Sequence, residues 1–395
     1  MNPTHNPASR PLRVLMFSKA CVVGTYQRKL ELIGAHPDID LTVVVPPYWK
    51  DARGKLVLER AYTDHYRLVV EPMRFNGNFH LHFYPGLGRV IEEVQPDIVH
   101  ADEEPYNLAT FHALRLARRA GAKTLFFSWQ NILRRYPFPF AQMEKWVLRH
   151  ADYALVGNEE AVGVWRQKGY EGPLMVLPQF GVDPEVFSPG DPPEDREPFV
   201  IGFAGRLVPE KGLDMLIRAA AKLPGRWVLR LLGDGPERAA LQELAGVYNI
   251  SGSVSFEKGI PSTEMPGFYR SLDVFVLPSQ TRPNWKEQFG RVIIEAMACG
   301  VPVVGSRSGA IPEVIGPAGL LFDETDEDAL AAHLAALKRD VSLRRALAVA
   351  GRQRVLRHFT QEQIAARTVE VYRTLAGRGG ENPANSPDSE NAPQV

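Results

Sequence analysis

Short apolar runs rich in β-branched residues alternate with helical patterns along this chain, and the alternation breaks off once and then resumes. In the first half, buried strands are predicted at 13–17, 41–45, 97–101, 123–127 and 153–157. Helices are predicted between them at 106–121 and 139–151. Apolar strands that alternate with helices indicate a parallel sheet with helices on both faces. The break, FSPGDPPEDREP at 187–198, is rich in proline and acidic residues and predicts a linker.

The same alternation resumes after the break. Strands are predicted at 199–205, 227–233, 254–259, 274–278, 301–306 and 319–322. Helices are predicted at 212–223, 236–248, 289–299 and 326–340. The chain therefore predicts two doubly wound α/β units of Rossmann size in tandem. Ligands bind beyond the carboxyl ends of such strands, so we expect a cleft between the units, with functional residues in the turns from strand to helix.

Charge and composition exclude several classes of protein. Lys plus Arg and Asp plus Glu are 46 each among 395 residues, so a nucleic acid is not an expected partner. No apolar run reaches the ~20 residues that span a bilayer, and the N-terminus lacks the apolar core of a secretion signal. Cys21 and Cys299 have no metal-ligand spacing and are expected to be buried free thiols. These features favour a cytoplasmic globular protein.

Two cations flank the first strand-to-helix turn of the second half, in GFAGRLVPEKGLDML at 202–216. Arg206 follows Gly205 at the end of the strand, and Lys211 comes just before the helix. A helix N-terminus offers unpaired amides and the positive end of its dipole, so together with two cations it suits a diphosphate. The alternative is an ordinary turn with solvated cations. The turn matches neither the P-loop pattern nor the G-x-G-x-x-G fingerprint of dinucleotide enzymes.

Two glutamates with seven residues between them lie in WKEQFGRVIIEAMACGVPV at 285–303. Glu295 lies inside a predicted apolar helix, where an ionised carboxylate is costly unless it is paired. We expect it to face the cleft and to accept two hydroxyl hydrogen bonds, as a ribose diol donates. Glu287 precedes the helix and can bind sugar hydroxyls, while the amides of Gly290–Val292 face an anion. The alternative is that Glu295 is a solvated helix residue and Glu287 a cap.

The segment from Glu287 to Glu295, with the AMACGVPVVGSRSGAIPEVI that follows it, is similar to the E-x7-E region of the family-four retaining glycosyltransferases, which have the GT-B fold. GRLVPEKG, VSFEKG, DVFVLPS and AGLLF stand in the matching order and spacing. The resemblance covers about residues 12–376 and is looser in the first half. It implies two Rossmann-like domains that face each other across a cleft, the second of which binds a nucleotide-sugar.

For the donor, the resemblance implies a role for each matching residue. The two cations of the first turn bind the diphosphate, and Glu295 binds the ribose. Glu287 and the Phe289–Arg291 turn contact the transferred sugar, and the base stacks near the Gly259–Ile260 turn. The implied donor-binding residues are Gly24, Gly205, Arg206, Lys211, Gly259, Ile260, Glu287, Phe289, Gly290, Arg291, Val292 and Glu295.

The first half departs from the family in two places. The loop SKACVVGT at 18–25, which the resemblance implies closes over the phosphates, has one glycine, Gly24, where the family commonly has a pair. The family also often has a histidine near the donor sugar, after the strand that matches 97–101, and here the stretch reads VHADEEPYN. The residue beside the anomeric carbon is therefore left open among His100, Asp102 and Glu103.

The activity that the resemblance implies is retaining transfer of a sugar from a UDP- or GDP-sugar to an acceptor hydroxyl, with no metal and no cofactor. Arg206, Lys211 and Glu287, with one of the three open residues, would carry the catalysis. The acceptor is expected to be a carbohydrate, a lipid-linked molecule or a small molecule, in the synthesis of a polysaccharide, a glycolipid or a cell-envelope glycan. Two alternatives remain open: a nucleotide-sugar epimerase of the same architecture, and a non-catalytic nucleotide-sugar binder that regulates a partner.

The predicted segments are an acceptor-side domain at 1–188, a linker at 189–198, a donor-side domain at 199–358, a helix at 360–376 that returns to the first domain, and a disordered tail at 377–395. Aromatic and basic residues at 128–151 have three interpretations: they line a sugar groove, make a weak peripheral contact with the inner face of a membrane, or form an ordinary loop and a core-facing helix. Aromatic residues at 75–84 are expected to line the acceptor side.

Overall fold

The structure is a computed structural model, and it describes residues 10–51, 54–190 and 197–378. Residues 191–196 of the predicted linker and 379–395 of the predicted disordered tail lie outside the described residues. Within the described ranges, none of the helices is both long enough and apolar enough to cross a membrane. Cys21 and Cys299 are buried free thiols, as predicted, and burial raises the pKa of each thiol to about 12.

The chain divides into two compact units. One unit runs up to Phe180 and is completed by the residues from Gln361 onward, while the other comprises Gly181–Thr360. The first unit therefore ends before the segment predicted as a linker, and it takes in the last helix of the chain. The two passages from one unit to the other are adjacent, because Val182 forms a parallel bridge with Thr360.

A parallel sheet with seven described strands organises the first unit. The described strands of this unit, including two outside the sheet, are β1 (Leu12–Phe17), β2 (Ile39–Val45), β3 (Tyr48–Asp51), β4 (Gly54–Val57), β5 (Arg67–Val70), β6 (Ile98–Ala101), β7 (Lys123–Ser128), β8 (Tyr153–Val156) and β9 (Leu174–Val176). β3 and β4 form a separate antiparallel hairpin, and the others follow the order β5-β2-β1-β6-β7-β8-β9. The sequence predicts the five inner strands. It misses the edge strands β5 and β9, because they are short and only partly buried and so lack a continuous apolar run.

Helices cover both faces of this sheet. They are α1 (Arg28–Gly34), α2 (Leu87–Val94), α3 (Leu108–Arg119), α4 (Phe140–His150) and α5 (Glu159–Gln167). The core on one face contains residues of α2, α3, α4 and α5, while the core on the other contains residues of α1. The sequence predicts α3 and α4. The other three helices have seven to nine residues, too few for a clear helical period.

A second parallel sheet organises the other unit, and all six strands that the sequence predicts there are present. The strands are β10 (Phe199–Ala204), β11 (Trp227–Leu232), β12 (Val254–Glu257), β13 (Val274–Leu277), β14 (Val303–Ser306) and β15 (Leu320–Phe322). The helices are α6 (Leu213–Ala221), α7 (Arg238–Val247), α8 (Met265–Arg270), α9 (Arg291–Ala298), α10 (Ile311–Ile315), α11 (Glu327–Arg339) and α12 (Val341–His358). The strand order is β12-β11-β10-β13-β14-β15.

The last helix, α13 (Gln361–Leu375), belongs to the first unit. Val369 and Tyr372 are fully buried in the same core as β1 and β2. At the surface, the guanidinium of Arg373 makes two hydrogen bonds to the carboxylate of Asp38, at 2.7 and 2.8 Å. The first unit therefore depends on the C-terminal end of the described chain for one of its two cores.

Both sheets reverse their strand order at the same relative position. In the first unit the reversal lies between β1 and β6, and in the second it lies between β10 and β13. Ligands of doubly wound sheets bind outside the carboxyl ends of the strands at this reversal. The residues that follow these four strands are therefore the candidates for function in each unit.

Candidate functional site

The turn after β10 approaches the end of β13 because a glycine allows two backbones to meet. Pro209–Lys211 form a single 3₁₀ turn, and Gly212 then begins α6 with a φ of 60°. A Cβ atom on Gly212 would lie 2.2 Å from the carbonyl oxygen of Pro278. Glycine combines this left-handed backbone with that close approach at no steric cost. The turn thereby places Lys211 beside the residues that follow β13.

Lys211 and Glu287 form an ion pair at this reversal point. The Nζ of Lys211 donates to Oε2 of Glu287, and the hydroxyl of Ser279 donates to the same oxygen at 2.9 Å. The ammonium also lies 4.8 Å from the centre of the Trp285 ring, which is a favourable position for a cation. Glu287 is only 9% exposed, so its carboxylate needs this pairing. The structure thus brings together two of the residues predicted for catalysis.

Arg206 lies in the same turn but is exposed. Among the described residues, its side chain has no hydrogen bond or ion pair, in contrast to Lys211. An exposed guanidinium in the same turn as a paired ammonium can bind an incoming anion without breaking an existing contact. The backbone N–H of the adjacent Gly205 donates to Leu232 at 2.9 Å, so this amide is already part of the sheet.

Glu295 is buried on α9, at 5% exposure, and both of its carboxylate oxygens have partners. The hydroxyl of Tyr269 donates to Oε2 at 2.7 Å, and Nε of Arg291 lies 2.9 Å from Oε1. Glu295 is therefore not the solvated helix residue of the alternative interpretation. Each carboxylate oxygen has a second lone pair, so the group keeps acceptor capacity for a diol.

The remaining donor-side candidates differ in how accessible they are. Gly290 caps α9 with a φ of 75°, and Val292 is half-buried in the first helical turn. The Phe289 ring is buried and packs against Phe359, 5.8 Å away between ring centres. Gly259 is exposed with open space beside it, and Ile260 is half-buried after β12. The glycine turn is open at the surface, whereas the phenylalanine ring is buried.

In the first unit, Glu103 is a buried carboxylate at the carboxyl end of β6. It accepts hydrogen bonds from the backbone N–H of Lys19, at 3.0 Å, and from the Lys19 ammonium. Nε2 of His82 lies 3.4 Å away. Burial acts to raise the pKa of Glu103, but Lys19 and His82 outweigh it and lower the pKa to about 2. The carboxylate therefore ties the loop after β1 to the end of β6.

Asp102 is also buried, and it bonds to the segment that ends the first unit. Oδ2 accepts a hydrogen bond from Nε2 of Gln179 at 2.9 Å, while Nζ of Lys29 lies 3.8 Å from Oδ1. Oδ1 makes no hydrogen bond within the described part of the chain. Burial raises the pKa of Asp102, partly opposed by Lys29. Gln179 in turn accepts a 2.9 Å hydrogen bond from the Trp129 indole.

His100 lies within β6 and is buried in the core. Its Nδ1 is 2.7 Å from the hydroxyl of Tyr372 on α13. Burial lowers the pKa of His100 well below its usual range, so the ring is neutral at physiological pH. This histidine therefore contacts the returning helix, whereas Asp102 and Glu103 lie beyond the strand end.

Gly24 is buried in a 3₁₀ turn that leads into α1, and its amide already has a partner. The backbone N–H donates to Oε2 of Glu59 at 2.6 Å. The side chain of Gln27 bonds the same segment, donating to the carbonyl of Glu59 at 2.6 Å and accepting from the N–H of Ala61 at 3.1 Å. The Glu59 carboxylate therefore already binds the backbone N–H of Gly24, in the loop that the resemblance assigns to the donor phosphates.

The sequence analysis does not single out Glu104, which also follows the carboxyl end of β6. Its carboxylate accepts hydrogen bonds from the hydroxyl of Ser128, at 2.6 Å, and from the backbone N–H of Trp129, at 2.8 Å. Burial raises its pKa to about 7. The signal that could have found it is the run of three acidic residues directly after a buried strand, since carboxylates are rarely buried without a reason.

The described residues contain no group of three or more His, Cys, Asp or Glu side chains placed to hold a metal ion. Three of the buried acids, Glu103, Asp102 and Glu287, instead lie beside Lys19, Lys29 and Lys211 respectively. The expectation of a reaction without a metal or cofactor stays a prediction.

The two Rossmann-like units, each with the strand order of a doubly wound sheet, are those of the GT-B glycosyltransferases. A sucrose-phosphate synthase from Thermosynechococcus elongatus superposes with a TM-score of 0.69 at 21% identity, covering 93% of this chain and 99% of that one. A glycosyltransferase from Rickettsia africae gives a TM-score of 0.71 at 16% identity, covering 93% and 99%. Anabaena HepE in complex with UDP gives 0.69 at 19% identity, covering 92% and 100%. At these identities the likeness establishes the fold.

Sequence comparisons identify the family. Residues 187–354 match the family model described as glycosyl transferases group 1. A GDP-mannose-dependent α-(1-6)-phosphatidylinositol monomannoside mannosyltransferase from Mycolicibacterium smegmatis is 34% identical over 67% of this chain and 72% of its own length. A D-inositol 3-phosphate glycosyltransferase from Corynebacterium urealyticum is 35% identical over 61% of each chain, so that alignment spans less than two thirds of the relative. This chain belongs to the group 1 glycosyltransferase family.

Proposed function

We propose that this glycosyltransferase transfers a mannosyl group from GDP-mannose to a hydroxyl of an acceptor that bears an inositol phosphate, and that the anomeric configuration is retained. The observation that carries the proposal is the Lys211–Glu287 ion pair beside the exposed Arg206 at the strand reversal of the second unit. The donor comes from the name of one relative, which is GDP-mannose-dependent, and the acceptor class comes from the inositol compounds named in all three relatives.

The proposed chemistry depends on stabilising a leaving diphosphate. Negative charge grows on the diphosphate as the bond to the anomeric carbon breaks, and prepositioned cations lower the energy of that state. Arg206 offers a free guanidinium, and the Lys211 ammonium has three N–H donors, so it can stay bonded to Glu287 while it donates to a phosphate oxygen. We propose these two side chains, rather than a divalent ion, as the source of positive charge.

Among the three residues left open beside the anomeric carbon, we favour Asp102. His100 is bonded to Tyr372 in the core, and Glu103 is engaged by Lys19 on both of its oxygens. Asp102 retains one carboxylate oxygen without a hydrogen bond among the described residues. A carboxylate beside the anomeric carbon would stabilise positive charge developing on the sugar ring.

The first test is transfer of radiolabelled sugar by the purified full chain, with GDP-mannose, UDP-glucose and ADP-glucose as donors. Acceptors are free D-inositol 3-phosphate and phosphatidylinositol in vesicles, which distinguish a soluble from a lipid acceptor. We expect transfer from GDP-mannose to one of them, with an α-linked product by NMR. Asp102→Asn should lose turnover while GDP binding stays within about twofold.

Other results of this assay would contradict the proposal in distinct ways. Transfer from another donor would replace the GDP-mannose assignment and keep the family activity. Conversion of the donor to a different nucleotide-sugar without any acceptor would favour the epimerase. Binding of donor without turnover on either acceptor would favour a regulatory binder.

We further propose that the first unit contacts an anionic membrane through two neighbouring loops. Phe75 and Phe79 on one loop are 61% and 55% exposed, and Phe138 on the other is 79% exposed. The loops are adjacent, because the His80 ring lies 5.5 Å from the Tyr136 ring between their centres. Exposed aromatic rings insert at the boundary between lipid headgroups and acyl chains.

The charge of the same loops suits an anionic surface. Arg74, Arg134 and Arg135 are exposed on them, and neither 73–83 nor 131–140 contains an acidic residue. Each basic residue near an anionic surface contributes about 1 kcal/mol of attraction. The enzyme would then bind a phospholipid acceptor while the acceptor stays in the membrane.

The substitution Phe138→Ser should weaken binding to vesicles that contain phosphatidylinositol by about fivefold to tenfold, because one exposed aromatic ring no longer inserts. Co-sedimentation with vesicles of phosphatidylcholine, with and without 30 mol% phosphatidylinositol (about the anionic share that gives a strong surface potential), measures the effect. Val247→Ser is the matched control, because Val247 is 70% exposed on the second unit. Equal binding of the two variants would contradict the membrane contact.

A further inference from the structure

Tyr269 is a buried residue that no resemblance or prediction assigned to the donor site, yet it bonds directly to Glu295. Its side chain is fully buried, and its hydroxyl donates to Oε2 of Glu295 at 2.7 Å. The bond joins α8 to α9, two helices separated along the chain by β13 and the loop that follows it. A tyrosine hydroxyl in the interior costs free energy unless it is hydrogen-bonded, so this contact fixes both partners.

The Tyr269 ring has little freedom to move. Its centre lies 5.5 Å from the Phe275 ring on β13 and 5.8 Å from the neighbouring Phe268 ring. The Phe187 ring lies on another side, 6.4 Å away. Edge-to-face contacts at such distances hold an aromatic ring in one orientation. The position of the Tyr269 hydroxyl, and so of the hydrogen bond that it donates, is therefore fixed.

The Tyr269 hydroxyl also keeps its proton. Burial raises the pKa of Tyr269 well above its usual range, and the neighbouring Glu295 carboxylate raises it further. The phenol is therefore a neutral hydrogen-bond donor at physiological pH.

The two contacts of Glu295 fix the plane of its carboxylate. Tyr269 holds one oxygen from the interior, and Nε of Arg291 lies 2.9 Å from the other. The Arg291 side chain is 41% exposed, whereas Tyr269 is fully buried, so Tyr269 is the more firmly fixed of the two partners. A diol that donates to both oxygens needs them in one defined plane, since hydrogen-bond strength falls steeply with misalignment.

We propose that Tyr269 is a positioning residue that orients the Glu295 carboxylate toward the ribose diol of the donor, so that discrimination between ribose and 2′,3′-dideoxyribose nucleotides depends on the phenol hydroxyl. This proposal rests on the proposed function, because it takes the ligand of Glu295 to be a nucleoside diphosphate. Tyr269 itself does not touch the donor.

The test compares Tyr269→Phe with the wild-type protein by calorimetric binding of GDP and 2′,3′-dideoxy-GDP. UDP or ADP and the matching dideoxy form replace them if wild type prefers those nucleotides. We expect the variant to bind the ribose nucleotide about tenfold more weakly, because a hydrogen bond to a charged group is lost. Binding of the dideoxy nucleotide should change by less than about twofold. The donor KM should rise in proportion, with kcat within about twofold.

The matched control is Tyr170→Phe, which removes a buried hydroxyl bonded at 2.9 Å to the carbonyl of Pro173 in the first unit. It should leave both affinities unchanged. In a protein that already carries Glu295→Gln, adding Tyr269→Phe should change the logarithm of the Kd for the ribose nucleotide by less than half as much as it does in wild type. The reason is that the carboxylate that Tyr269 orients is already absent.

Outcomes separate the two proposals. An equal loss for ribose and dideoxy nucleotides, or no loss for either, with wild-type donor binding intact, would overturn the positioning role and leave the proposed function standing. Failure of the wild-type protein to bind any of the three nucleoside diphosphates would overturn both.

Discussion

Replacing Lys211 with methionine should reduce kcat by at least about 100-fold and lower the free energy of unfolding by about 3 kcal/mol. The two effects have different causes. The loss of kcat follows from removing a cation aimed at the developing diphosphate charge. The loss of stability follows from leaving the carboxylate of Glu287, with a side chain only 11% exposed, without its cation.

A second substitution separates these causes. In Lys211→Met/Glu287→Gln, the buried group is a neutral amide that needs no cation, so the free energy of unfolding should return to within about 1 kcal/mol of wild type. Turnover should remain lost, because neither charged group is restored. Urea denaturation and the transfer assay with GDP-mannose measure the two properties on the same preparations.

Lys222→Met is the control for loss of a lysine. Lys222 lies at the surface with Glu327 at 2.8 Å, in a pair that water screens, so neither stability nor turnover should change appreciably. A Lys211→Met protein with wild-type kcat and donor KM would contradict the assignment of Lys211 to the diphosphate. Recovery of turnover in the double variant would show that charge balance alone matters at this position.

The pairing of Lys211 with Glu287 shows how much of the site can be predicted from the sequence. Lys211 and Glu287 are 76 residues apart, and their proximity still follows from the strand pattern. Each follows a strand, and these two strands are neighbours where a doubly wound sheet reverses its order. Once the fold is recognised from the strand pattern, both residues are therefore predicted to lie close together at the strand reversal. The same reasoning predicts both sheets from their apolar inner strands.

Other contacts could not be predicted in this way. The bond from Tyr269 to Glu295 depends on how α8 packs on α9, and α8 has too few residues to give a helical period. The pairing of Lys19 with Glu103 depends on the path of an irregular loop, which no periodicity describes. Packing of side chains decided these details, so they emerged only from the structure.

The substitution Lys19→Met should lower the free energy of unfolding by about 3 kcal/mol at pH 7.5, because it leaves the buried carboxylate of Glu103 without its nearest cation. The loss should shrink as the pH falls. Urea denaturation at pH 7.5, 5.0 and 3.5 measures it, with Glu103→Gln as a variant that lacks the titrating group. Lys123→Met, at the exposed pair with Asp152, is the matched control and should lose little at any of the three pH values.

The sign of this pH dependence follows from the direction of each pKa. In wild type, the pKa of Glu103 is about 2 in the folded protein, below its ordinary value of 4.5, so its contribution is full above 4.5 and is lost only as the pH falls toward 2. Without Lys19, one of the two groups that lower the pKa of Glu103 is gone, so this pKa rises above its wild-type value and the folded variant takes up a proton at a higher pH than the wild-type protein does. The difference in the free energy of unfolding between the variant and wild type therefore narrows on acidification. A difference that stays constant from pH 7.5 to 3.5 would mean that Lys19 stabilises the fold by packing against Trp49 and Phe79 and not by charge.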